Sequence, residues 1–455
     1  MRLSDANLAH LPVTFTQPAY DRIARGVGIV HFGIGAFHRA HQAAYIDDAM
    51  AAESGDWRIL GVSLRSGNVR DQMRPQDGLY AFVEQSADGS KVRVIGSVAD
   101  VIVAAEERDR LIAALANPAT HIVSFTITEK GYCRAPDGTI DFDVADSGSV
   151  YAYLTEAFRQ RRDAGSPGLT LMSCDNLAGN GGQLKRLMIA YLHRHAPELV
   201  SWFEDKCACP STMVDRIVPA TTEADRTSIA ALTGLRDDAM VVTEPFSQWV
   251  IEDNFAGPRP AWEKHGALMT SNVHAYEEAK LRLLNGAHSA LAYLGLKRGH
   301  EFVHQAIADP ELAALANTLM RDEAATSLER APGQDLNAYA DALIARFQNP
   351  ALNHRLIQIA MDGSQKIPQR WLATLASQQA KGKQCPSILT AISGWLCHIR
   401  GDNGFVDDPL AEVLKATWAQ AGAHGISAAL FSAGGIMASG WTPSEADLLE
   451  IARQL

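Results

Sequence analysis

Polar side chains that can act as acids, bases or hydrogen-bond donors interrupt a largely apolar stretch at residues 275–297. They are Glu277, Lys280, Asn285 and His288. On a helix with about 100° per residue and Lys280 at zero, the other three project at about 60°, 140° and 80° in chain order. All four would then share one side of a helix. This spacing is consistent with residues that converge on a ligand, but taken alone it favours the exposed polar face that every amphipathic helix needs.

A glycine turn stands between the first predicted strand and the first predicted helix. Residues 27–32 (VGIVHF) form a β-branched run, and a helical pattern runs through AHQAAYIDDAMAA. Between them, Gly33 and Gly35 occupy the first two positions of G-x-G-x-x-G, which permit a tight turn and the close approach of a pyrophosphate. His38 replaces the third glycine, so the strict fingerprint fails. The strand–turn–helix context still favours a dinucleotide site over a plain structural turn.

The predicted cofactor loop consists of Gly33, Ile34, Gly35, Ala36, Phe37 and His38. An NAD site usually has an acid at the end of the second strand, where it binds the ribose 2′-hydroxyl. That strand ends here in VSLRS, without an acid. Arg65 in this segment favours NADP if it meets a 2′-phosphate, and says nothing about the cofactor if it is a surface residue.

The order of the predicted elements indicates two domains. Apolar runs at 57–64, 92–98, 120–127 and 168–173 predict further strands, and helical patterns separate several of them, as in a mostly parallel α/β sheet. After residue 272 few strand candidates remain. Helical periodicity is found at 275–297, 300–322, 336–348, 350–361, 366–381, 386–399, 408–421 and 442–454. We therefore predict a Rossmann-like α/β domain over 1–272 and a mainly α-helical substrate and catalytic domain over 273–455, with the active site in the cleft between them.

Further polar residues stand at predicted strand ends, where open α/β sheets bind ligands. Thr128 and Glu129 follow the strand at 120–127, and Asn176 follows the strand at 168–173. Asp215 lies among apolar neighbours and needs a partner, and pairing with Arg216 or a helix-capping role is the simplest interpretation. In the helical half, Lys366 precedes Pro368 and lies one turn from Arg370. The simplest interpretation of those two cations is a solvated pair.

Composition excludes several classes of protein. The chain has 455 residues, is 47% hydrophobic and carries a formal net charge of −11. No run of Lys or Arg indicates a nucleic-acid or anionic-membrane partner, and no apolar stretch approaches the roughly 18 residues of a membrane span. The N-terminus lacks a secretory signal pattern. Six irregularly spaced cysteines suit free thiols, and the pair Cys207 and Cys209 is not completed into a metal-ligand set. We expect a cytoplasmic protein.

Several segments together resemble the polyol-specific long-chain dehydrogenases, the group of mannitol 2-dehydrogenase, arabinitol dehydrogenase and fructuronate reductase. The matching segments are GIGAFHRAHQA, TITEKGY, SCDN, STMVDRIVP, EPFSQWVIEDNF, YEEAKLRLLNGAHS and QIAMDGSQKIPQR. They occur in the family's order between about residues 27 and 371. The resemblance, rather than the spacing, favours a catalytic role for the segment around Lys280.

The resemblance implies a metal-free hydride transfer with NAD, NADP being the alternative. The family's general-base lysine matches Lys280. The paired asparagines that hold the substrate oxygen match Asn285 and Asn176, and the histidine near the reacting hydroxyl matches His288. Further substrate-pocket positions match Glu277, Asp215 and Lys366, while Gly33, Gly35, Phe37 and His38 match the cofactor loop. The missing acid after the second strand departs from strongly NAD-selective members.

Three functions follow as hypotheses. The first is an NAD-dependent polyol 2-dehydrogenase that interconverts a sugar alcohol of the D-mannitol or D-arabinitol type and its ketose. The second is a fructuronate reductase (D-mannonate oxidoreductase), whose substrate carboxylate would need a cation such as Lys366 or Arg370. The third is a non-catalytic dinucleotide-binding regulator. No heptad seam indicates assembly, so we expect a monomer or a small homo-oligomer.

Overall fold

The computed structural model describes residues 1–455, which divide into two compact units, Met1–Val273 and His274–Leu455. Each unit has its own hydrophobic core. No helix in either unit has the length and apolar character needed to cross a membrane.

The first unit contains eleven strands and ten α-helices. The strands are β1 (Val27–Phe32), β2 (Arg58–Ser63), β3 (Tyr80–Ser86), β4 (Gly89–Ile95), β5 (Val98–Val103), β6 (Ile122–Phe125), β7 (Thr170–Ser173), β8 (Thr212–Asp215), β9 (Val241–Thr243), β10 (Gln248–Glu252) and β11 (Leu268–Thr270). The helices are α1 (Ala36–Ala40), α2 (Gln42–Ala52), α3 (Asn68–Met73), α4 (Arg108–Ala116), α5 (Thr128–Gly131), α6 (Phe142–Ala145), α7 (Val150–Asp163), α8 (Asn180–His195), α9 (Val200–Lys206) and α10 (Glu223–Thr233).

The central sheet of this unit is parallel throughout, with the strand order β5-β2-β1-β6-β7. Its strands are covered on both faces, since Val30 and Phe32 pack into one core with residues of α4, α7 and α8, while Ile29 packs into another with residues of α2. The strand order reverses between β1 and β6. In such sheets this switch point is where ligands bind, outside the carboxyl ends of the strands.

Two smaller sheets complete the first unit, with the orders β11-β10-β8 and β4-β3-β9. They explain why the segment 92–98, predicted as one strand, is extended at both ends but belongs to two different strands. Its first half belongs to β4, which pairs antiparallel with β3, and its last residue begins β5, which pairs parallel with β2. Gly96 and Ser97 separate the two strands. A continuous apolar run cannot show that its two ends join different sheets.

The second unit is helical. Its α-helices are α11 (His274–Ala279), α12 (Gly286–Lys297), α13 (Val303–Ala308), α14 (Pro310–Thr318), α15 (Leu336–Phe347), α16 (Leu356–Ile359), α17 (Gly363–Ile367), α18 (Ala373–Ala380), α19 (Pro386–Arg400), α20 (Ala411–Phe431) and α21 (Glu445–Ala452). Three π-helical turns are inserted at Lys280–Asn285, Leu319–Ala324 and Pro368–Leu372. The α12 helix is buried from Gly286 to Gly295 and packs against α13, α16 and α19.

The predicted fold class, a parallel Rossmann-like α/β half followed by a helical half, is confirmed. The predicted helix at 350–361 is wrong for most of its length, because only Leu356–Ile359 is helical. Pro350 and the turn-forming Asn353 leave the preceding residues in turns and extended backbone. A helical spacing of apolar residues is not sufficient where such residues interrupt it.

Candidate active site

The glycine turn is fixed between three strands of the parallel sheet. Gly33 follows β1 with φ +94°, and a Cβ added there would lie 2.0 Å from the carbonyl oxygen of Thr126, which follows β6. The Gly33 N–H donates to the carbonyl of Val62 in β2 at 2.8 Å. Only glycine fits this position, since both the left-handed backbone and the space exclude a side chain. The turn therefore lies at the switch point of the sheet.

Gly35 has a different role in the same turn. Its φ of −75° is accessible to any residue, and an added Cβ would meet only the Gly33 carbonyl oxygen, at 3.8 Å. The residue is exposed. An uncovered backbone at this place is what a dinucleotide pyrophosphate needs in order to approach. The open backbone at Gly35 therefore fits the approach of a nicotinamide dinucleotide.

The other loop residues do not all face outward. Ile34 is buried and packs close to Gly61 of β2. Phe37 stacks on His41, with ring centroids 5.2 Å apart. The predicted helix over 40–52 is confirmed from Gln42 onward, and the backbone breaks at His41 (φ −124°, ψ −90°), which separates α2 from the short helix α1. The Ile34 side chain therefore packs the turn against β2, and only the backbone of Ile34 is available to a ligand.

His38, which replaces the third glycine, is fully buried and stacks on His31 of β1 with ring centroids 3.3 Å apart. The Nδ1 atom of His31 lies 2.8 Å from the Ser124 hydroxyl and its Nε2 atom 2.9 Å from the Thr126 hydroxyl. Burial lowers the pKa of His31 to about 3 and holds the pKa of His38 well below its ordinary value. Both rings are thus neutral near pH 7. They join β1 to α1, which is the packing that the third glycine of the fingerprint otherwise permits.

A half-buried carboxylate that the sequence did not single out orders the carboxyl edge of the sheet. Asp175, just after β7, accepts hydrogen bonds from the backbone N–H groups of Ile127 and Thr128, both at 3.0 Å, and from the Tyr132 hydroxyl at 2.8 Å. Thr128 has φ +62°, an uncommon conformation for a β-branched residue. Strain of this kind persists where surrounding contacts impose it, frequently at functional sites. Asp175 thus holds the loop that carries Thr128 and Glu129, and burial raises its pKa.

Asn176 and Asp215 also lie at strand ends of the first unit. Asn176 follows Asp175 directly, and Asp215 is the buried last residue of β8. Arg216, the simplest partner for Asp215 on sequence grounds, instead forms its ion pair with Glu84 at 2.7 Å. We call the three hydrogen bonds that Asp175 accepts the Asp175 clamp. The sequence offered one signal for it, because a turn-forming Asp at the carboxyl edge of a sheet can accept hydrogen bonds from the neighbouring loop.

In the second unit, Lys280 and Asn285 are the first and last residues of a π-helical turn, and both are half-buried. A π turn bonds residues five apart, so the projection angles derived for a regular α-helix are wrong across this segment. Lys280 and Asn285 instead lie at the two ends of one widened turn. Such turns inside α-helices occur frequently at functional sites. The polar groups are therefore not an exposed stripe on a regular helix.

Glu277 and His288 flank this turn, and both are buried. The His288 ring stacks on Phe347 at 5.0 Å and meets His354 edge-on at 4.9 Å. Burial, followed by the nearby charges of His354, Arg346 and Arg370, holds the pKa of His288 well below its ordinary value. A neutral imidazole can accept one hydrogen bond and donate another, which suits a residue placed beside a hydroxyl.

The segment around Lys366 packs on the same turn. Arg370, within the π turn Pro368–Leu372, donates from Nη1 to the Ser289 hydroxyl at 2.6 Å and to the Asn285 carbonyl at 3.4 Å. Lys366 donates from Nζ to the carbonyl of Met361 at 2.6 Å. Burial lowers the pKa of both cations, that of Arg370 to about 10. The interpretation of Lys366 and Arg370 as a solvated pair is therefore wrong.

Arg65 is exposed and lies just beyond the carboxyl end of β2, where a dinucleotide ribose is expected. We predict that Arg65→Ala lowers kcat/KM with NADP about tenfold and leaves the value with NAD unchanged, because a guanidinium–phosphate contact is charge-assisted. Steady-state rates with both cofactors measure this. Arg70→Ala is the control, since Arg70 is already paired with Asp71 and Glu106. A parallel fall with both cofactors would contradict the role assigned to Arg65.

No group of three or more His, Cys, Asp or Glu side chains is placed to hold a metal ion. The two units together define the class of protein. The first has a parallel sheet with a glycine turn at its switch point, and the second carries a half-buried lysine, an amide and a neutral imidazole. These features are those of a nicotinamide-dependent oxidoreductase. The family model of the mannitol dehydrogenase Rossmann domain matches residues 27–264, and that of the mannitol dehydrogenase C-terminal domain matches residues 272–436. The chain belongs to the mannitol dehydrogenase family, as the sequence predicts.

Relatives with both expected activities are found. Mannitol 2-dehydrogenase from Pseudomonas fluorescens, solved as a ternary complex with NAD and D-mannitol, is 37% identical, with a TM-score of 0.83 over 100% of this chain and 96% of that one. D-mannonate oxidoreductase from Escherichia coli (strain K12) is 39% identical over 97% of this chain and 94% of its own length. Mannitol 2-dehydrogenase from Phaeosphaeria nodorum is 39% identical over 91% of this chain and 77% of its own length.

Proposed function

We propose that the protein is an NAD-dependent dehydrogenase that interconverts an acyclic sugar derivative bearing a secondary hydroxyl and the corresponding ketone, with Lys280 as the general base. The observation that carries the proposal is the π turn, which sets Lys280 and Asn285 at the ends of a single half-buried turn beside the neutral His288. The solved mannitol dehydrogenase complex with NAD and D-mannitol supports the cofactor and the substrate class.

The roles of the side chains follow from their chemistry. In the oxidation direction the Lys280 amine accepts the hydroxyl proton of the substrate, which a base within hydrogen-bond reach can do. The amide of Asn285 donates to the oxygen as negative charge develops, and Asn176 supplies the second amide. Two neutral donors stabilise that oxygen without repelling a lysine, and losing one such donor typically costs about 3 kcal/mol. Bound NAD would supply the hydride acceptor for the carbon that carries this oxygen.

Other residues of the chain hold and orient. His288 is fixed by Phe347 and His354, so its ring has one orientation from which to bond a substrate hydroxyl. Glu277, Asp215 and Lys366 are proposed to bind the remaining substrate oxygens. Gly35 and the start of α1 would receive the dinucleotide phosphates, while the Asp175 clamp fixes the loop that holds Thr128 and Glu129.

Polyols of the D-mannitol and D-arabinitol type are the substrates predicted from the sequence. A sugar acid is the second candidate, and the half-buried cations Lys366 and Arg370 favour it, because a substrate carboxylate needs a cation. A D-mannonate oxidoreductase and a mannitol 2-dehydrogenase are both matched over nearly their whole length, 94% and 96%, so the extent of the chain does not separate the two substrates.

A substrate panel tests the proposed function. The purified protein is mixed with NAD and with D-mannitol, D-arabinitol or D-mannonate, and initial rates are read from the absorbance of the reduced nicotinamide. We expect turnover of at least one of the three. NAD binding without turnover of any polyol or sugar acid would contradict the proposal and support the non-catalytic regulator instead.

A further inference from the structure

Arg370 contacts the proposed catalytic turn Lys280–Asn285. Its Nη1 atom bonds the Ser289 hydroxyl of α12 and the carbonyl of Asn285. The neighbouring Trp371 fixes the same segment by donating from its indole N–H to the Gly286 carbonyl at 3.1 Å. The guanidinium is thus held against the residue that is proposed to bind the reacting oxygen.

The charge of Arg370 has no counter-ion within the protein. Both of its acceptors are neutral, and both are bonded by Nη1 alone. A guanidinium carries five N–H donors, so those on Nε and Nη2 find no acceptor in the chain. Other arginines of the unit behave differently: Arg282 pairs with Glu278 at 2.5 Å and Arg298 with Asp309 at 2.6 Å.

Burial makes this arrangement unfavourable for the protein alone. It lowers the pKa of Arg370 to about 10, and no nearby carboxylate opposes that change. A partly buried cation is stable when an anion with suitable hydrogen-bond geometry meets it. The free edge formed by Nε and Nη2 is the side of a guanidinium that binds a carboxylate with two parallel hydrogen bonds.

A second cation, Lys366, lies near Arg370, together with the carboxylates of Asp362, Asp407 and Asp408, which act to raise the pKa of Lys366. The pKa of Lys366 is lowered first by burial and next by the charge of Arg370, so the two side chains are near enough to repel. The carboxylate closest to Lys366 belongs to Asp362, with an N–O distance of 3.9 Å, at the limit of an ion pair. An anionic ligand beside Arg370 would relieve the repulsion between these two cations.

We propose that Arg370 binds the carboxylate of the substrate, so that the protein acts preferentially on a six-carbon sugar acid rather than on an uncharged polyol; this inference rests on the proposed dehydrogenase function. Arg370 is then a specificity-determining residue. It binds the substrate carboxylate, while Lys280 and Asn285 act at the reacting hydroxyl.

D-mannonate and D-mannitol are the appropriate probes, because they differ at one terminal carbon, a carboxylate in the first and a hydroxymethyl group in the second. For the unmodified protein with NAD, we expect kcat/KM for D-mannonate to exceed that for D-mannitol by about 10- to 100-fold, the range of a hydrogen bond to a charged group. Arg370→Gln should remove that advantage, mainly through KM for D-mannonate, and lower the value for D-mannonate at least tenfold more than the value for D-mannitol. Arg370→Lys keeps the charge without the planar fork and should recover part of the preference.

Two further measurements separate this role from a structural one. A guanidinium that only joins the two π turns predicts an equal loss with both substrates and a lower unfolding temperature for Arg370→Gln. The inference predicts an unfolding temperature no lower than that of the unmodified protein, since the variant removes an uncompensated charge. Arg321→Gln is the control: Arg321 lies on another π turn of the unit and already pairs with Asp341 at 2.5 Å.

The outcomes are distinct. Turnover of D-mannitol without a preference for D-mannonate, or an equal loss of both activities in Arg370→Gln, overturns the inference and leaves the proposed dehydrogenase function standing. Absence of turnover with every polyol and sugar acid overturns the proposed function and this inference with it. A selective loss of D-mannonate activity supports both.

Discussion

Replacing Lys280 with alanine is expected to lower kcat by about 100- to 10,000-fold, the range that a positioned general base contributes. The amine is proposed to accept the hydroxyl proton, and without it no side chain of the protein is assigned to take that proton. The dissociation constant for NADH should stay within about twofold of the original, because the cofactor is assigned to the glycine turn of the other unit. Single-turnover rates and NADH fluorescence titration measure the two quantities.

A smaller amine tests the chemistry more directly. Adding methylamine to Lys280→Ala should restore part of the rate, with a rescue that grows with pH as the free amine forms. Lys297→Ala is the matched control, since Lys297 ends α12 and donates only to the Gln454 carbonyl. Near-normal turnover by Lys280→Ala would refute the assignment of the base, and so would a loss of rate accompanied by an equal loss of NADH affinity.

The sequence predicts the parallel sheet well because its signals are local. The β-branched run of β1, the glycines after it and the helical pattern that follows are all read within one segment, and the structure places them as strand, turn and helix. Gly33 is a local signal of the same kind, because its φ of +94° is a conformation that glycine alone adopts readily. The broken helix after the turn was not predictable in this way, since His41 is an ordinary helical residue in sequence.

Features that depend on distant contacts were not predictable. The π turn at Lys280–Asn285 leaves the residue spacing unchanged and alters only the hydrogen-bonding partner of each residue, so a periodicity of 3.6 places the polar groups incorrectly. The Asp175 clamp joins residues about fifty positions apart in the chain. The lack of a counter-ion at Arg370 becomes visible only when every neighbouring carboxylate has been located.

Local sequence signals and contacts between distant residues also determine different properties of the protein. The local signals position the cofactor turn and so define the class of reaction. The contacts of Arg370, Ser289 and Asn285 involve residues more than eighty positions apart and are proposed to decide which substrate is accepted. This division explains why the family follows from seven short segments, whereas the sequence alone left polyol and sugar acid as alternatives.

The two glycines of the cofactor turn should respond to substitution in opposite ways. Gly33→Ala places a Cβ 2.0 Å from a backbone oxygen at a left-handed φ, so we expect the free energy of unfolding to fall by about 2–4 kcal/mol. Gly35→Ala should change that free energy by less than about 1 kcal/mol, because its backbone is unstrained and its surroundings are open. Urea unfolding followed by circular dichroism measures both.

Relative to the stability that each substitution costs, the affinity for NAD should be more sensitive at Gly35 than at Gly33. At Gly35 the added methyl group would occupy the space through which the pyrophosphate approaches, and a displacement of about 1 Å can cost on the order of 100-fold in function. We therefore expect Gly35→Ala to raise the dissociation constant for NAD by about 10- to 100-fold in a protein of nearly unchanged stability, as measured by calorimetry. Gly182→Ala serves as the control, because an added Cβ there meets only the end of the Arg186 side chain, at 3.7 Å. If Gly35→Ala binds NAD as tightly as the unmodified protein, the dinucleotide does not lie against this turn, and the open backbone at the switch point must have another purpose.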